Sequence, residues 1–116
     1  MKKLPFFLAI SFIMFYGNII AQTISLDQGK ITAIETLVEK TLLKFDYSLE
    51  KAWVSPSVWD QYNIDGKKSF TILCAMYVKH RNRDKSDKHP VIDIYDYKNG
   101  KYIASFGPIG GFRVFN

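Results

Sequence analysis

The chain has 116 residues, 47% of them hydrophobic and 23% charged, and a formal net charge of +5. This length fits a single domain, and a lone cysteine, Cys74, excludes an internal disulfide. The sequence has no G-x-S-x-G nucleophile motif, which excludes hydrolase chemistry of that kind.

The first 21 residues are typical of a secretory signal peptide. Positive charge at residues 1–3 precedes an apolar stretch over residues 4–16, and Ala21 supplies a small residue before the expected cleavage point. The alternative is an uncleaved membrane anchor, which Gly17 and Asn18 disfavour. We therefore predict a secreted or periplasmic protein with a signal peptide at 1–21. The mature domain, 22–116, then has 95 residues and a net charge of +3.

A first helix is predicted over Ser25–Lys44. Its apolar side chains recur at the spacing of one helical face, and charged side chains occupy the opposite face. Ser25 and Gln28 fit a capping box, and Asp27 in the first turn suits the helix dipole. The apolar positions are Ile31, Ile34, Leu37, Val38 and Leu42.

The central part of the chain predicts a strand, a short helix and a second long helix. Alternating side chains favour a strand over Ser48–Ser55, and the proline that follows starts a turn of helix at Ser57–Trp59. The second long helix spans Gly66–His80, with Asn63 or Asp65 as its cap. A buried strand would give the same apolar run, FTILCAMYV, within this segment.

The last third of the chain predicts β-structure. Val91–Tyr97 and Tyr102–Phe106 alternate on either side of Asn99-Gly100, which is a strong hairpin signal, and Phe112–Phe115 follows as a short final strand. Together these elements predict a single α+β domain. We expect a small antiparallel sheet of three to four strands, with two helices packed on one face.

Three segments resemble a group of small uncharacterised exported bacterial proteins. They are a V-x-P-x-x-W start at Val54–Trp59, a D-x-x-x-G-K hairpin at Asp96–Lys101 and a G-F-R-V-F ending at Gly111–Phe115. The resemblance covers roughly residues 50–116. It implies export and a compact domain, and it implies no activity and no catalytic residue.

The most highly charged segment is Lys79–His89, whose net charge of +3 equals that of the whole mature chain. It is a candidate anion-binding loop, and a solvated connector between two elements is the alternative. No aromatic residue interrupts the segment, and nucleic acid is therefore not an expected partner. The candidate anion-binding residues are Lys79, Arg81, Arg83, Lys85 and Lys88.

Other polar residues do not combine into catalytic or metal sites. Asp93 and Asp96 fall on opposite faces of a strand, and Cys74 and His80 point in different directions on a helix. We therefore expect no catalytic residue, no metal and no cofactor. The side chains considered for a metal site, which lack ordered spacing and lie among cations, are His80, Asp84, Asp87 and His89.

Aromatic residues make up 16% of the chain and supply a candidate partner surface. Its residues are Trp53, Trp59, Tyr95 and Tyr97, unless they belong to the core. We expect a non-enzymatic exported interaction or accessory module that binds an unidentified protein through an aromatic sheet face or edge strand. The alternative is a binder of anionic envelope polymer or lipid head groups through residues 79–88, and a small hydrolase ranks last.

Overall fold

The computed structural model describes residues 24–115, and that part of the chain forms three helices and five strands. The signal peptide predicted at 1–21 lies outside the described residues. The helices are α1 (Gln28–Glu39), α2 (Pro56–Trp59) and α3 (Ile64–Arg81). The strands are β1 (Leu43–Asp46), β2 (Lys51–Val54), β3 (Ile92–Asp96), β4 (Tyr102–Gly107) and β5 (Gly111–Val114).

The five strands form one mixed sheet in the order β1-β2-β3-β4-β5. Neighbouring strands are antiparallel except β2 and β3, which are parallel. The α+β class is confirmed, but the expected three to four strands and the fully antiparallel pairing are wrong. Parallel neighbours need a crossover of a dozen or more residues, usually helical, and α2 with α3 provides it.

The additional strand, β1, exists because α1 ends well before the predicted Lys44. The backbone turns left-handed at Thr41, where φ is 59°. The Thr41 N–H donates to the carbonyl of Val38 at 3.0 Å, and the N–H of the next residue donates to the carbonyl of Leu37 at 2.9 Å. This pair of bonds is a Schellman ending, which usually has glycine at the left-handed position. The residues from Leu43 onward therefore form β1.

Both long helices begin at polar caps. Asp27 is the N-cap of α1, its Oδ1 accepting from the Lys30 N–H at 3.0 Å, so the cap is not Ser25 as predicted. The segment that could be read as a strand is α3, and its N-cap is Asn63, one of the two predicted caps. Its Oδ1 accepts from the Gly66 N–H at 2.8 Å. These bonds satisfy backbone donors that have no partner within the helix.

Turns limit β2 and join β3 to β4. The strand predicted from Ser48 begins only at Lys51, because residues 47–50 form a turn in which Asp46 Oδ1 accepts from the Leu49 N–H at 3.1 Å. The predicted hairpin is confirmed, with Gly100 at a φ of 74°.

The hydrophobic core lies between the sheet and the long helices, which contact both the sheet and each other. Cys74 on α3 is buried, as its apolar surroundings predict. We call the opposite side of the sheet the outer face, and its side chains are half-buried or exposed. The buried sheet residues beneath the helices are Leu43, Ala52, Val54, Ile92, Ile94 and Ala104.

Candidate functional site

The outer face carries a row of four aromatic side chains, one from each of four adjacent chain segments. Trp53 on β2 stacks on Tyr95 of β3, with ring centroids 5.5 Å apart. Tyr95 contacts Tyr102 of β4 at 5.2 Å, and Tyr102 contacts Phe115, which follows β5, at 4.7 Å. We call Trp53, Tyr95, Tyr102 and Phe115 the aromatic row. It runs across the strands because the register places these residues side by side.

A β-bulge brings Tyr102 to the outer face. Ile94 pairs with Ala104, but the next pair is Tyr95 with Tyr102, so β4 has one extra residue, Ile103, at this point. Without the bulge, strict alternation would turn Tyr102 toward the helices. Tyr102 is instead 44% exposed, more than any other exposed aromatic side chain of the described residues.

Cations surround the aromatic row. The ammonium of Lys44 lies 4.9 Å from the Trp53 ring centroid, and that of Lys51 lies 5.4 Å from the Tyr95 ring. Arg113 shares the face, since it pairs with Ser105. Within residues 24–115 none of these three cations forms an ion pair.

The two carboxylates of the outer face already have partners. Asp46 accepts a hydrogen bond from the hydroxyl of Ser48 at 3.0 Å and another from the Leu49 backbone N–H. The pKa of the Asp46 carboxyl is lowered, and the bond from Leu49 is the main cause. Asp93 accepts from the Tyr102 hydroxyl at 2.8 Å. The pKa of Tyr102 is raised, mainly through its partial burial. The face therefore offers aromatic rings and cations to a ligand, and each of its two carboxylates accepts at least one internal hydrogen bond.

The structure separates the predicted aromatic residues into two groups. Trp53 and Tyr95 belong to the aromatic row, whereas Trp59 is only 7% exposed and packs edge-on against Phe70 in the core. For Trp59 the structure therefore shows the alternative, a core side chain. It lies on α2, where the preceding residue, Val58, is also buried.

Tyr97 lies beyond the end of β3, in the turn that leads to β4. It is 38% exposed and lines a shallow groove of about 230 Å³ at the ends of the parallel strands β2 and β3. The groove is open to solvent and small, and it brings together two of the segments that carry the sequence resemblance. Its lining residues are Thr41, Ser55, Pro56, Tyr97 and Lys98.

The predicted anion-binding loop is partly helical, and internal contacts occupy most of its cations. Lys79 and Arg81 lie in the last turn of α3. The Lys79 ammonium donates to the carbonyls of Asp84 and Ser86 at 2.9 and 2.7 Å. Lys88 lies 3.7 Å from a carboxylate oxygen of Glu50.

Arg81 joins the end of α3 to the sheet. Its guanidinium carbon lies 4.7 Å from the Tyr47 ring centroid, and its Nη1 donates to the Tyr77 hydroxyl at 3.0 Å. That hydroxyl in turn donates to Glu35 at 3.0 Å, and burial raises the pKa of Tyr77 to about 12. Of the five predicted anion-binding cations, only Arg83 and Lys85 have no contact of this kind within residues 24–115.

The described residues offer no preassembled metal centre, because no three His, Cys, Asp or Glu side chains in residues 24–115 could hold one ion. None of the helices in that range is long and apolar enough to cross a membrane. Comparison with protein-family models, curated proteins and solved structures finds no match to this chain. The resemblance to small exported bacterial proteins therefore stays a prediction.

Proposed function

We propose that this chain is an exported, non-enzymatic interaction module that binds a protein partner through the outer face of its sheet. The observation that carries the proposal is the aromatic row, which lies on the side of the sheet opposite the core. Contiguous, partly exposed aromatic surface of this kind favours association, because aromatic side chains bury large areas and lose few rotamers.

The geometry favours this function over binding of an anionic polymer through residues 79–88. In that segment Lys79, Arg81 and Lys88 make internal contacts that a ligand would have to replace. Arg83 and Lys85 would then supply most of the attraction, and two exposed cations give weak and salt-sensitive binding.

The experiment compares capture by two double variants. Tyr95→Thr with Tyr102→Thr removes the centre of the aromatic row and keeps residues that favour strands. Leu49→Ser with Ile64→Ser is the matched control, because these apolar side chains are 60% and 54% exposed and lie outside the row. Immobilised protein is incubated with the envelope fraction of the native cell, with and without prior proteinase digestion of that fraction.

The proposal expects a protein that the wild type and the control variant capture, that the row variant loses, and that proteinase digestion removes. Circular dichroism and thermal unfolding check that each variant is folded. If the row variant is unfolded, Tyr102→Thr alone replaces it, since this ring is the most exposed of the row. Capture that survives loss of the row, or that survives proteinase digestion, contradicts the proposal. Mass spectrometry of the exported protein tests the export step, which predicts a chain beginning at Gln22.

A further inference from the structure

The aromatic row presents ring edges to solvent, and this limits what it can bind. Successive ring planes differ by 25°, 31° and 38°, and their centroids are separated by about one strand spacing. The rings therefore cover one another's faces, and ammonium groups lie over Trp53 and Tyr95. A sugar ring stacks on an open aromatic face, and the three rings other than Phe115 are in contact with neighbouring rings or ammonium groups.

Ring edges and cations make this apolar surface electropositive. The edge of an aromatic ring carries the positive part of its quadrupole. Lys44, Lys51 and Arg113 add full charges on the same face, and Lys98 and Lys101 add two more in the β3–β4 turn. None of the five forms an ion pair within the described residues. The opposing charges are Asp46 and Asp93 on the face and Asp96 at the β3–β4 turn, each of which accepts an internal hydrogen bond, so the cations outnumber the carboxylates.

We infer that the outer face recognises an acidic polypeptide segment of its partner, with carboxylates that meet Lys44 and Lys51 and apolar atoms that cover the aromatic row. Charge complementarity selects this occupant, because cations outnumber carboxylates on the face and neither Lys44 nor Lys51 forms an ion pair within residues 24–115, although Asp46 lies opposite Lys51. A neutral glycan is disfavoured because Trp53, Tyr95 and Tyr102 contact neighbouring rings or ammonium groups, and within the described residues only the terminal ring of the row, Phe115, has a single such contact. The inference rests on the proposed function, since it specifies the chemistry of the partner at the same surface.

The test uses the purified protein and a short poly-L-glutamate peptide as the probe, with alginate as an anionic polysaccharide for comparison. Trp53 fluorescence reports binding, because Trp59, the other tryptophan, is 7% exposed and screened from external ligands. Lys44→Gln with Lys51→Gln removes the two charges over the row. The matched control, Lys68→Gln with Lys85→Gln, makes the same change in net charge at exposed positions on α3 and in the 79–88 segment.

We expect poly-L-glutamate to bind with a Kd that rises about tenfold in the Lys44/Lys51 variant and changes less than about twofold in the control. Added salt should weaken binding to the wild type. The inference is overturned if the affinity for poly-L-glutamate falls equally in both variants or falls only in the control. It is also overturned if alginate binds more tightly than poly-L-glutamate, or if poly-L-glutamate does not bind the wild type.

The two proposals fail separately. Suppose that capture of a cellular protein depends on Tyr95 and Tyr102 while poly-L-glutamate binds weakly, unspecifically or not at all. This result overturns the inference of an acidic partner segment and leaves the proposed docking face in place. Capture that does not depend on those tyrosines overturns both. If glutamine at position 51 destabilises the sheet, Lys44→Gln alone against Lys68→Gln alone gives the same comparison.

Discussion

Replacing Arg81 by alanine should destabilise the fold, although the charge pattern of the sequence predicts an anion-binding role for this side chain. The substitution removes a guanidinium that stacks on Tyr47 and donates to the Tyr77 hydroxyl. Tyr77 is 1% exposed and keeps its bond to Glu35, so the loss falls on the contact between α3 and the first hairpin of the sheet.

The size of the effect follows from two contacts. A cation–π contact at an exposed site contributes about 0.5–1 kcal/mol. A hydrogen bond contributes a net of about 0.5–1.5 kcal/mol, and the lower half applies here because Arg81 is exposed. The free energy of unfolding should therefore fall by about 1–2 kcal/mol, which lowers Tm by about 5–15 °C in a domain of this size.

Thermal and urea unfolding of Arg81→Ala and of Arg83→Ala measure this difference. Arg83 carries the same charge two residues further on and makes no comparable contact within the described residues, so its replacement should change Tm by less than about 2 °C. A double-mutant cycle with Tyr77→Phe should show coupling of about 0.5 kcal/mol or more. Equal Tm values for the wild type and Arg81→Ala would refute the reasoning.

Three further substitutions test local features of the fold. Thr41→Gly should raise the free energy of unfolding by about 1 kcal/mol, because a branched residue is strained at a φ of 59°, and a loss of stability in urea would contradict this. Gly66→Ala should destabilise despite its better helix propensity, since the new Cβ would lie 3.0 Å from Tyr62 Cβ, and a higher Tm would count against that packing. The Asp27 carboxyl has its pKa lowered below 3.8, chiefly by the Lys30 N–H. The stabilisation by the Asp27 carboxylate is thus present above pH 3.8 and lost as the pH falls through its pKa in the folded protein. The wild type should therefore be more stable than Asp27→Asn near neutral pH, and this difference in unfolding free energy should shrink in acid. A difference that stays constant with pH would contradict this.

Local signals in the sequence predicted most elements but not their assembly. The Asn99-Gly100 hairpin and the Asn63 cap depend on neighbouring residues only, and both were predicted. The end of α1 was missed because Thr41 occupies a left-handed position where the sequence offered neither glycine nor asparagine. The parallel pairing of β2 with β3 depends on how the crossover helices pack, which periodicity does not record.

The candidate site was predicted only in part for the same reason. Trp53 and Tyr95 were selected as aromatic residues on strands, but their contact depends on the parallel register. Tyr102 was missed as a member of the row because the bulge at Ile103 reverses the face expected from alternation. Phe115 reaches the aromatic row because β5 pairs with β4 at the edge of the sheet, which places Phe115 beside Tyr102.

The role of the basic segment was also hidden from the sequence. Charge alone does not distinguish a cation that awaits a ligand from one that stacks on a tyrosine distant in the chain. Arg81 reaches Tyr47 only after α3 has packed on the first hairpin. A run of like charges is consequently a weak predictor of a binding site when the folded partners are unknown.

Site-specific photo-cross-linking in the native cell tests the central claim, that the outer face of the sheet is the docking surface, most directly. A photoreactive phenylalanine analogue replaces Tyr102, the exposed ring of the row, or Ile64, an exposed residue at the start of α3. The account predicts a covalent adduct with another protein from position 102 and none from position 64. An adduct from position 64 with none from position 102, or no adduct from either position, would contradict it.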